Sequence, residues 1–514
     1  MSGPDVIVVG GGHNGLVAAL TLAEGGRKVT VVERAGALGG ICARREFAPG
    51  YHAPGLVSET GRFRDDLVES LGLAAHGLEF EADESPTLAP DDDGGLLLYE
   101  DPSRTARALA EAEDAAALRD WNGFLRQITP AVRRLLDAPP PALGPAGLDD
   151  FKGLAGTAWS LRRLGGDTMT ELLRVLPMCV ADWMRERFAS ERLAAGLAAP
   201  ALTNGYGGPW APGTAAALIW RQCARGRTVR GGPGALVDAL AAACGEAGVE
   251  LVTDAAVRRI HVDGDGVDAV ELESGERLEA PRVIATCNPK TALLDLVGAR
   301  YLPSDLERAL RNVRSRGIVS VLLLAVADDL EVAARPGEGV DRLRLGAESL
   351  DDLERAFDAV KYRRRADRPY LEVWIPSLSI PDLAPAGCHV VTALVHATPY
   401  DLAGGWSNEV REALTQAVVH RLNDELPGLR EALAGGRLLT PPDLEAELGL
   451  PGGHLGHGEM ALDQMLFLRP TRELARYRTP IDGLYVGGMG SHPGPGVTGV
   501  PGRLAARALL ADSE

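Results

Sequence analysis

Three glycines, Gly10, Gly12 and Gly15, constrain this chain more than any other feature. They sit between an apolar run, Val6 to Val9, and an Ala/Leu-rich stretch, Leu16 to Glu24. The run before them reads as a buried strand and the stretch after them as a helix. Val29-Thr-Val-Val follows as a second strand that ends at Glu33. Together these parts make one βαβ unit, and each has a physical job. Gly10 permits a tight turn, Gly12 lets the backbone approach a pyrophosphate, and Gly15 lets the helix pack closely on the strand. The helix start offers free N–H groups and a positive dipole end to phosphates. Glu33 lies 18 residues beyond Gly15, where a carboxylate accepts bonds from ribose hydroxyls. The glycines alone are weak evidence. Strand, glycines, helix, strand and acid in register outweigh the bland reading of a glycine-rich turn.

Size and charge narrow the rest. At 514 residues the chain is too long for one hydrophobic core, so two domains are expected. A net charge of −18 argues against nucleic acid and against electrostatic docking on anionic lipid, leaving at most peripheral membrane contact. The N-terminal apolar run is too short for a signal peptide, and Ile318 to Ala327 has the length of a strand, not of a membrane span. The six cysteines (42, 179, 223, 244, 287 and 388) are scattered, with no CxxC and no Cys/His cluster of metal-ligand spacing. Reduced thiols in a cytoplasmic protein without a metal centre are expected.

Helical periodicity runs from about Ser103 to Leu136, with Trp121, Phe124, Leu125, Ile128, Val132 and Leu135 on one face, and Pro139-Pro140-Pro141 breaks it. A second helix is expected from Thr170 to Phe188. Its stripe is Leu172, Leu173, Leu176, Cys179, Val180 and Trp183, read as core. After Arg230-Gly-Gly-Pro-Gly, a helix from Ala235 to Ala247 leads to short strands between Val249 and Glu279, with a hairpin at Gly264-Asp265-Gly266. Val283-Ile-Ala-Thr286 and Asn288-Pro289 close this segment. From Ile318 to about Thr440 strand runs alternate with one helix, Ser407 to Leu426, as in a separate mixed sheet. The last block carries a strand, Gly483 to Gly487, a glycine-rich loop, and a helix from about Thr498 to Ala511.

At these residues the chain resembles the phytoene desaturase-like branch of the glutathione-reductase-type flavoproteins, which includes the amine oxidases. Glu33 continues to Leu38-Gly39-Gly40, similar to the extended FAD signature of that superfamily. Gly231-Gly232-Pro-Gly234 through Asn288-Pro289 looks like the central return of the flavin domain. Thr479 to Gly499 is similar to the C-terminal motif of the desaturases, and His457-Gly-Glu459, Asp463-Gln464 and Leu468-Arg469-Pro470 also look family-specific. The resemblance implies an α/β fold: a Rossmann-type FAD-binding domain at 1–75, 225–300 and 455–514, and a mixed-sheet plus helical substrate domain at 76–224 and 301–454. It implies FAD contacts at Gly10, Gly12, His13, Asn14, Gly15, Glu33, Arg34, Gly39, Gly40, Arg44, Val257, Asn288, Gly488, Gly490, Val497, Thr498 and Gly499. Arg44 or Arg45 would neutralise the pyrophosphate, a solvated arginine being the alternative for either. The start of the C-terminal helix would face the N1/C2 edge of the flavin and stabilise the reduced anion, and side chains at Gly494, Gly496 and Gly499 would collide with the ring.

The residues favour FAD over a nicotinamide cofactor, because the other GxGxxG spacing, Gly494 to Gly499, does not follow directly on a strand. Cys42 occupies the place where disulfide reductases carry their first redox cysteine. Phe47 stands where its partner would be, so a thiol relay is excluded. For Cys42 a covalent flavin link and a buried inert thiol remain. His492, His457 and Glu459 are the candidates for proton chemistry, against the reading that each histidine is hydrogen-bonded structure. The flavin itself is the expected hydride acceptor. The resulting expectation is an FAD-dependent dehydrogenase that forms C=C or C=N in a small organic substrate and is reoxidised by oxygen or a quinone. The alternatives are a redox-neutral flavin isomerase, a membrane-associated carotene desaturase and a non-enzymatic binder on the same fold.

Overall fold

A computed structural model describes residues 3–109, 111–141, 156, 159–160 and 162–513. Strand Val6–Val9 is the middle of a five-stranded parallel sheet. Val29–Val32 and then Glu250–Val252 lie on one side of it, and Val283–Ala285 and then Leu484–Val486 on the other. All four residues of Val6–Val9 are buried, as a run without polar alternation requires when both faces are covered. Helix His13–Glu24 crosses between the first two strands. The C-terminal helix Val500–Ala511 packs beside it so closely that a Cβ on Gly502 would lie 2.0 Å from the Asn14 carbonyl oxygen. The first turns of these two helices therefore lie side by side at the end of the sheet.

The meander is present as expected. Val257–Asp263, Gly266–Leu272 and Arg277–Glu279 form a three-stranded antiparallel sheet, its first turn made by Gly264 (φ +59°) and Asp265. The third large unit is a seven-stranded mixed sheet. It includes Val319–Val326, His389–His396, Leu371–Trp374 and Arg342–Leu345 in that spatial order, and ends in the hairpin Thr87–Ala89 and Leu96–Leu98. Helices between 102 and 223 pack around a separate apolar cluster that includes Trp121, Trp183 and Phe188.

Three expectations need correction. The stretch 103–136 is two helices, Pro102–Ala108 and Ala112–Asp137, because the chain is extended at Leu109 and Glu111. The stretch 170–188 likewise divides into Gly166–Val175 and Val180–Arg185, with Cys179 in an extended conformation. Leu173 is turned outward, 62% exposed, because Leu172 and Val175 make the buried face of its helix. The mixed-sheet region holds a second helix, Leu350–Lys361. Its signal was present: Ser349 Oγ accepts from Asp352 N, and Leu350, Leu353, Phe357 and Val360 make the buried stripe. Among the described residues no helix is long and apolar enough to cross a membrane, and no His/Cys/Asp/Glu group is arranged to hold a metal ion.

Candidate functional site

The turn from strand Val6–Val9 into helix His13–Glu24 shows why Gly10 and Gly15 are glycines. Gly10 has φ +105°, and a Cβ there would lie 2.8 Å from Thr286 Oγ1. A Cβ on Gly15 would lie 1.9 Å from the Gly10 carbonyl oxygen, so helix and turn touch at backbone distance. Gly12 differs: its backbone is ordinary (φ −71°, ψ 172°), and a Cβ would meet only Gly39 O, at 4.0 Å. The space in front of Gly12 is therefore open. Gly39 N donates to Gly11 O at 2.8 Å, joining the second glycine pair to the first loop in one cradle. Thr286, which the sequence reading did not single out, donates its hydroxyl to Val9 O and Gly10 O and pins the turn.

A cavity of about 270 Å³ opens on this cradle. Gly10, Gly12, His13, Asn14, Gly15, Glu33, Arg34, Gly39, Gly40 and Val257 line it, and so do His457 and Met489. The Glu33 carboxylate is held in place by N–H donors of Gly11 (2.7 Å) and Ala35 (2.9 Å). His13 Nε2, Asn14 Oδ1 and His457 Nδ1 are buried without a partner. Buried polar atoms are nearly always paired, so these three point to a polar occupant. The site therefore suits a dinucleotide on three grounds: an open glycine cradle at a helix start, an oriented acid, and orphaned polar atoms.

Electrostatics sets the charge state of the histidines. Burial lowers His13 to about 4, and burial with the neighbouring His454 lowers His457 to about 3, so both rings are neutral near pH 7. Burial pushes the Cys42 thiol up to about 12, and it lies 3.8 Å from His13 Nδ1. The thiol is protonated, in keeping with the inert reading.

Several expected contacts lie elsewhere. Glu459 is 2% exposed and is bound by Arg316 through two hydrogen bonds of 2.7 and 2.9 Å. Burial alone would raise its carboxyl, but Arg316 outweighs that and holds it below the usual range. Glu459 is thus held ionised by Arg316. His492 Nε2 donates to Leu135 O at 2.8 Å, tying the C-terminal loop to the end of helix Ala112–Asp137. Burial lowers it to about 4, so the ring is neutral near pH 7. Asn288 donates to His457 O and accepts from Lys290 N, so it positions His457. Arg44 is exposed and does not line the cavity, and Arg45 bonds the Gly40 carbonyl instead.

The C-terminal loop is packed against protein. A Cβ on Gly488 would meet Thr286 O at 2.1 Å, and one on Gly490 would meet Pro289 Cδ at 2.4 Å. Gly494 faces Met460 and Arg469, Gly496 faces Arg62, and Gly499 faces Leu67 and Phe63. These neighbours account for the last three glycines without a flavin ring. Val497 is buried, and Thr498 lines a small pocket with Trp220 and Pro493. Buried Arg469 organises the region by donating to carbonyls of Gly456, Gly458, Glu459, Gln464 and Met489.

A second cavity, of about 450 Å³, lies between Gly231–Gly232, at the start of helix Gly232–Glu246, and the mixed sheet, whose Asp341, Arg342, Arg344 and Trp374 form one wall. Sequence reasoning did not name this wall. Its signal is the alternation in Arg342-Leu-Arg344-Leu, which puts two arginines on one face of a strand.

Known proteins agree with this architecture. A model of the family described as flavin containing amine oxidoreductase matches residues 15–387. The chain is 31% identical over 542 residues to the pyridine nucleotide-disulfide oxidoreductase domain-containing protein 2 of Rattus norvegicus, covering 99% of this chain and 93% of that protein. It is 27% identical over 535 residues to hydroxyneurosporene desaturase of Cereibacter sphaeroides, covering 99% and 98%. Among solved structures, putrescine oxidase bound to putrescine shares the fold with a TM-score of 0.59 at 15% identity, over 99% of this chain and 98% of that one. An oxidoreductase from Methanosarcina mazei does so with a TM-score of 0.60 at 13% identity, over 98% and 99%. The chain belongs to the flavin-containing amine oxidoreductase family and is an FAD-dependent oxidoreductase.

Proposed function

We propose that this protein dehydrogenates a small organic substrate, forming C=C or C=N, and that oxygen or a quinone reoxidises it. FAD supplies the acceptance of two electrons and a proton. The residues proposed to hold it are Gly10, Gly12, His13, Asn14, Gly15, Glu33, Arg34, Gly39, Gly40 and Val257, with Gly12 offering backbone approach and Glu33 an acceptor for hydroxyls. Neutral His13 and His457 contribute hydrogen bonds without adding charge. Segments 1–75, 225–300 and 455–514 are proposed as the FAD-binding part, and 76–224 and 301–454 as the substrate-binding part. The observation that carries this reading is the 450 Å³ cavity bounded by both parts, large enough for a small organic molecule. The six cysteines are free, which supports action in the cytoplasm. The test is anaerobic: the purified yellow protein is mixed with a metabolite panel while the flavin absorbance is followed. Saturable bleaching by an organic substrate is expected. Reduced protein that interconverts substrate and product with no electron acceptor would overturn the reading in favour of an isomerase.

A further inference from the structure

The wall of the 450 Å³ cavity carries a guanidinium, that of Arg344, which no carboxylate touches. Arg344 is 9% exposed and lines this cavity. Its guanidinium donates from Nη1 to the Gly196 carbonyl, Nε has no partner, and among the described residues no carboxylate lies within 4.0 Å of it. Glu372 stands opposite Arg344 on the neighbouring strand, but its carboxylate is turned to Thr203 Oγ1 at 2.9 Å and His396 Nε2 at 3.2 Å. Deeper in, two guanidinium groups share one carboxylate: Arg62 and Arg221 both bind Glu59, the latter at 2.8 Å. Arg221 Nε is buried without a partner.

Within this cluster three arginines (62, 221 and 344) face Glu59 and Glu372, with Glu100 at the rim, so the charges balance overall, but Arg344 touches none of the three carboxylates. Glu100 is 3.9 Å from Arg221 but half exposed, so water screens it. A desolvated charge without a contacting partner is costly, and a bound anion removes that cost. The cavity wall also carries acids, most of them with an internal partner; Glu81 and Glu100 reach Arg230 and Arg221 only at 3.9 Å. Asp83 binds Arg104, Asp101 caps a helix through Ser103, Glu84 accepts from the Glu100 and Asp101 amides, and Asp341 faces Arg342 and the Trp374 indole.

We propose that the substrate carries a carboxylate, held by the Arg344 guanidinium with Arg221 behind it. The planar fork of donors on Arg344 matches a carboxylate in two-point contact, and the rest of the cavity takes the organic body. This inference rests on the reading of the cavity as the substrate site. It sets the protein apart from an oxidase of cationic amines and from a desaturase of neutral polyenes.

The test is calorimetric binding of three probes of equal length, hexanoate, hexanol and hexylamine, to the oxidised FAD-loaded protein. Hexanoate should bind about tenfold or more tighter than hexanol, as a desolvated charge pair requires, and hexylamine should show no saturation. Arg344→Met should weaken hexanoate by about tenfold and leave hexanol unchanged, with the flavin spectrum reporting that the variant is folded. The comparison of probes on the wild-type protein stands even if that variant does not fold. The proposal falls if hexanoate fails to saturate, if hexylamine or hexanol binds as tightly, if Arg344→Met is neutral, or if inorganic phosphate matches hexanoate. Binding is read by heat and oxidation by flavin bleaching, so failure of the dehydrogenase reading leaves a different trace from failure of this one.

Discussion

Gly12 and Gly15 lie three residues apart, yet substitution should damage the protein in two different ways. At Gly12 the backbone is extended and negative in φ, so a side chain introduces no strain, and its Cβ meets only one oxygen, at 4.0 Å. Gly12→Val should therefore change the stability of the cofactor-free protein by no more than about 0.5 kcal/mol. The valine instead fills the cradle where the pyrophosphate would be bound. At Gly15 a Cβ would stand 1.9 Å from Gly10 O and 3.0 Å from Thr286 Oγ1, a clash that only movement of the helix away from the turn relieves. Gly15→Ala should cost about 3 kcal/mol with or without cofactor. Thermal melts with and without added FAD separate the two effects. With free FAD at about 100 times its Kd, wild type gains about 2.7 kcal/mol. Gly12→Val should melt like the wild-type apoprotein and lose that gain, whereas Gly15→Ala should melt low from the start. A full FAD-dependent rise in Gly12→Val, or a wild-type melt in Gly15→Ala, would refute the assignment of these two roles.

Glu459→Gln should lower stability by about 2 kcal/mol, less than for a fully buried pair because Arg314 and Arg316 are partly solvated. The shape of the pH–rate profile should not change, and a lost pH limb would restore Glu459 as an acid or base. Burial holds His13, His454 and His492 at about 4 and His457 at about 3. Below the unfolded value of about 6.5, the unfolded chain takes up protons that the folded chain refuses, so stability is full above that value and falls as pH drops toward 4. Each histidine contributes up to about 1.4 kcal/mol per pH unit, and a melting temperature that stays level over this window would contradict the four shifts. NADH or NADPH should bleach the oxidised flavin only slowly and without saturation in stopped flow, since the chain carries one dinucleotide-binding turn and FAD takes it. Thr498→Asp places a carboxylate just before the C-terminal helix, and if that helix start faces the flavin the reduction potential should fall. Superimposable redox titrations of variant and wild type would disconnect the helix from the flavin.

What could be read from the sequence, and what could not, follows from how far each signal reaches along the chain. The βαβ unit, the meander and the strand Val319–Val326 are carried by neighbouring residues: glycines at fixed spacing, a two-residue hairpin turn, and an apolar run of the right length. The edge of the mixed sheet is not. Thr87–Ala89 and Arg342–Leu345 are three and four residues long, and they pair through Leu88 and Leu343, more than two hundred residues apart. Pattern alone does not foretell that meeting. The site divides in the same way. Gly10, Gly12, Gly15 and Glu33 could be placed because backbone geometry fixes their roles within one supersecondary unit.

Glu459 and His492 looked like acid–base candidates because a motif shows residue type but not what a side chain faces. One faces Arg316, the other the Leu135 carbonyl. Arg344 shows the converse. Its chemistry was visible as a charge alternating with leucine in a strand, and strand arginines usually face solvent. Only the fold reveals that helix Glu191–Ala198 lies over this one, taking its Nη1 proton at Gly196 while supplying no charge to match. A binding residue of the kind proposed is marked by the carboxylate it does not touch, and a sequence cannot show that.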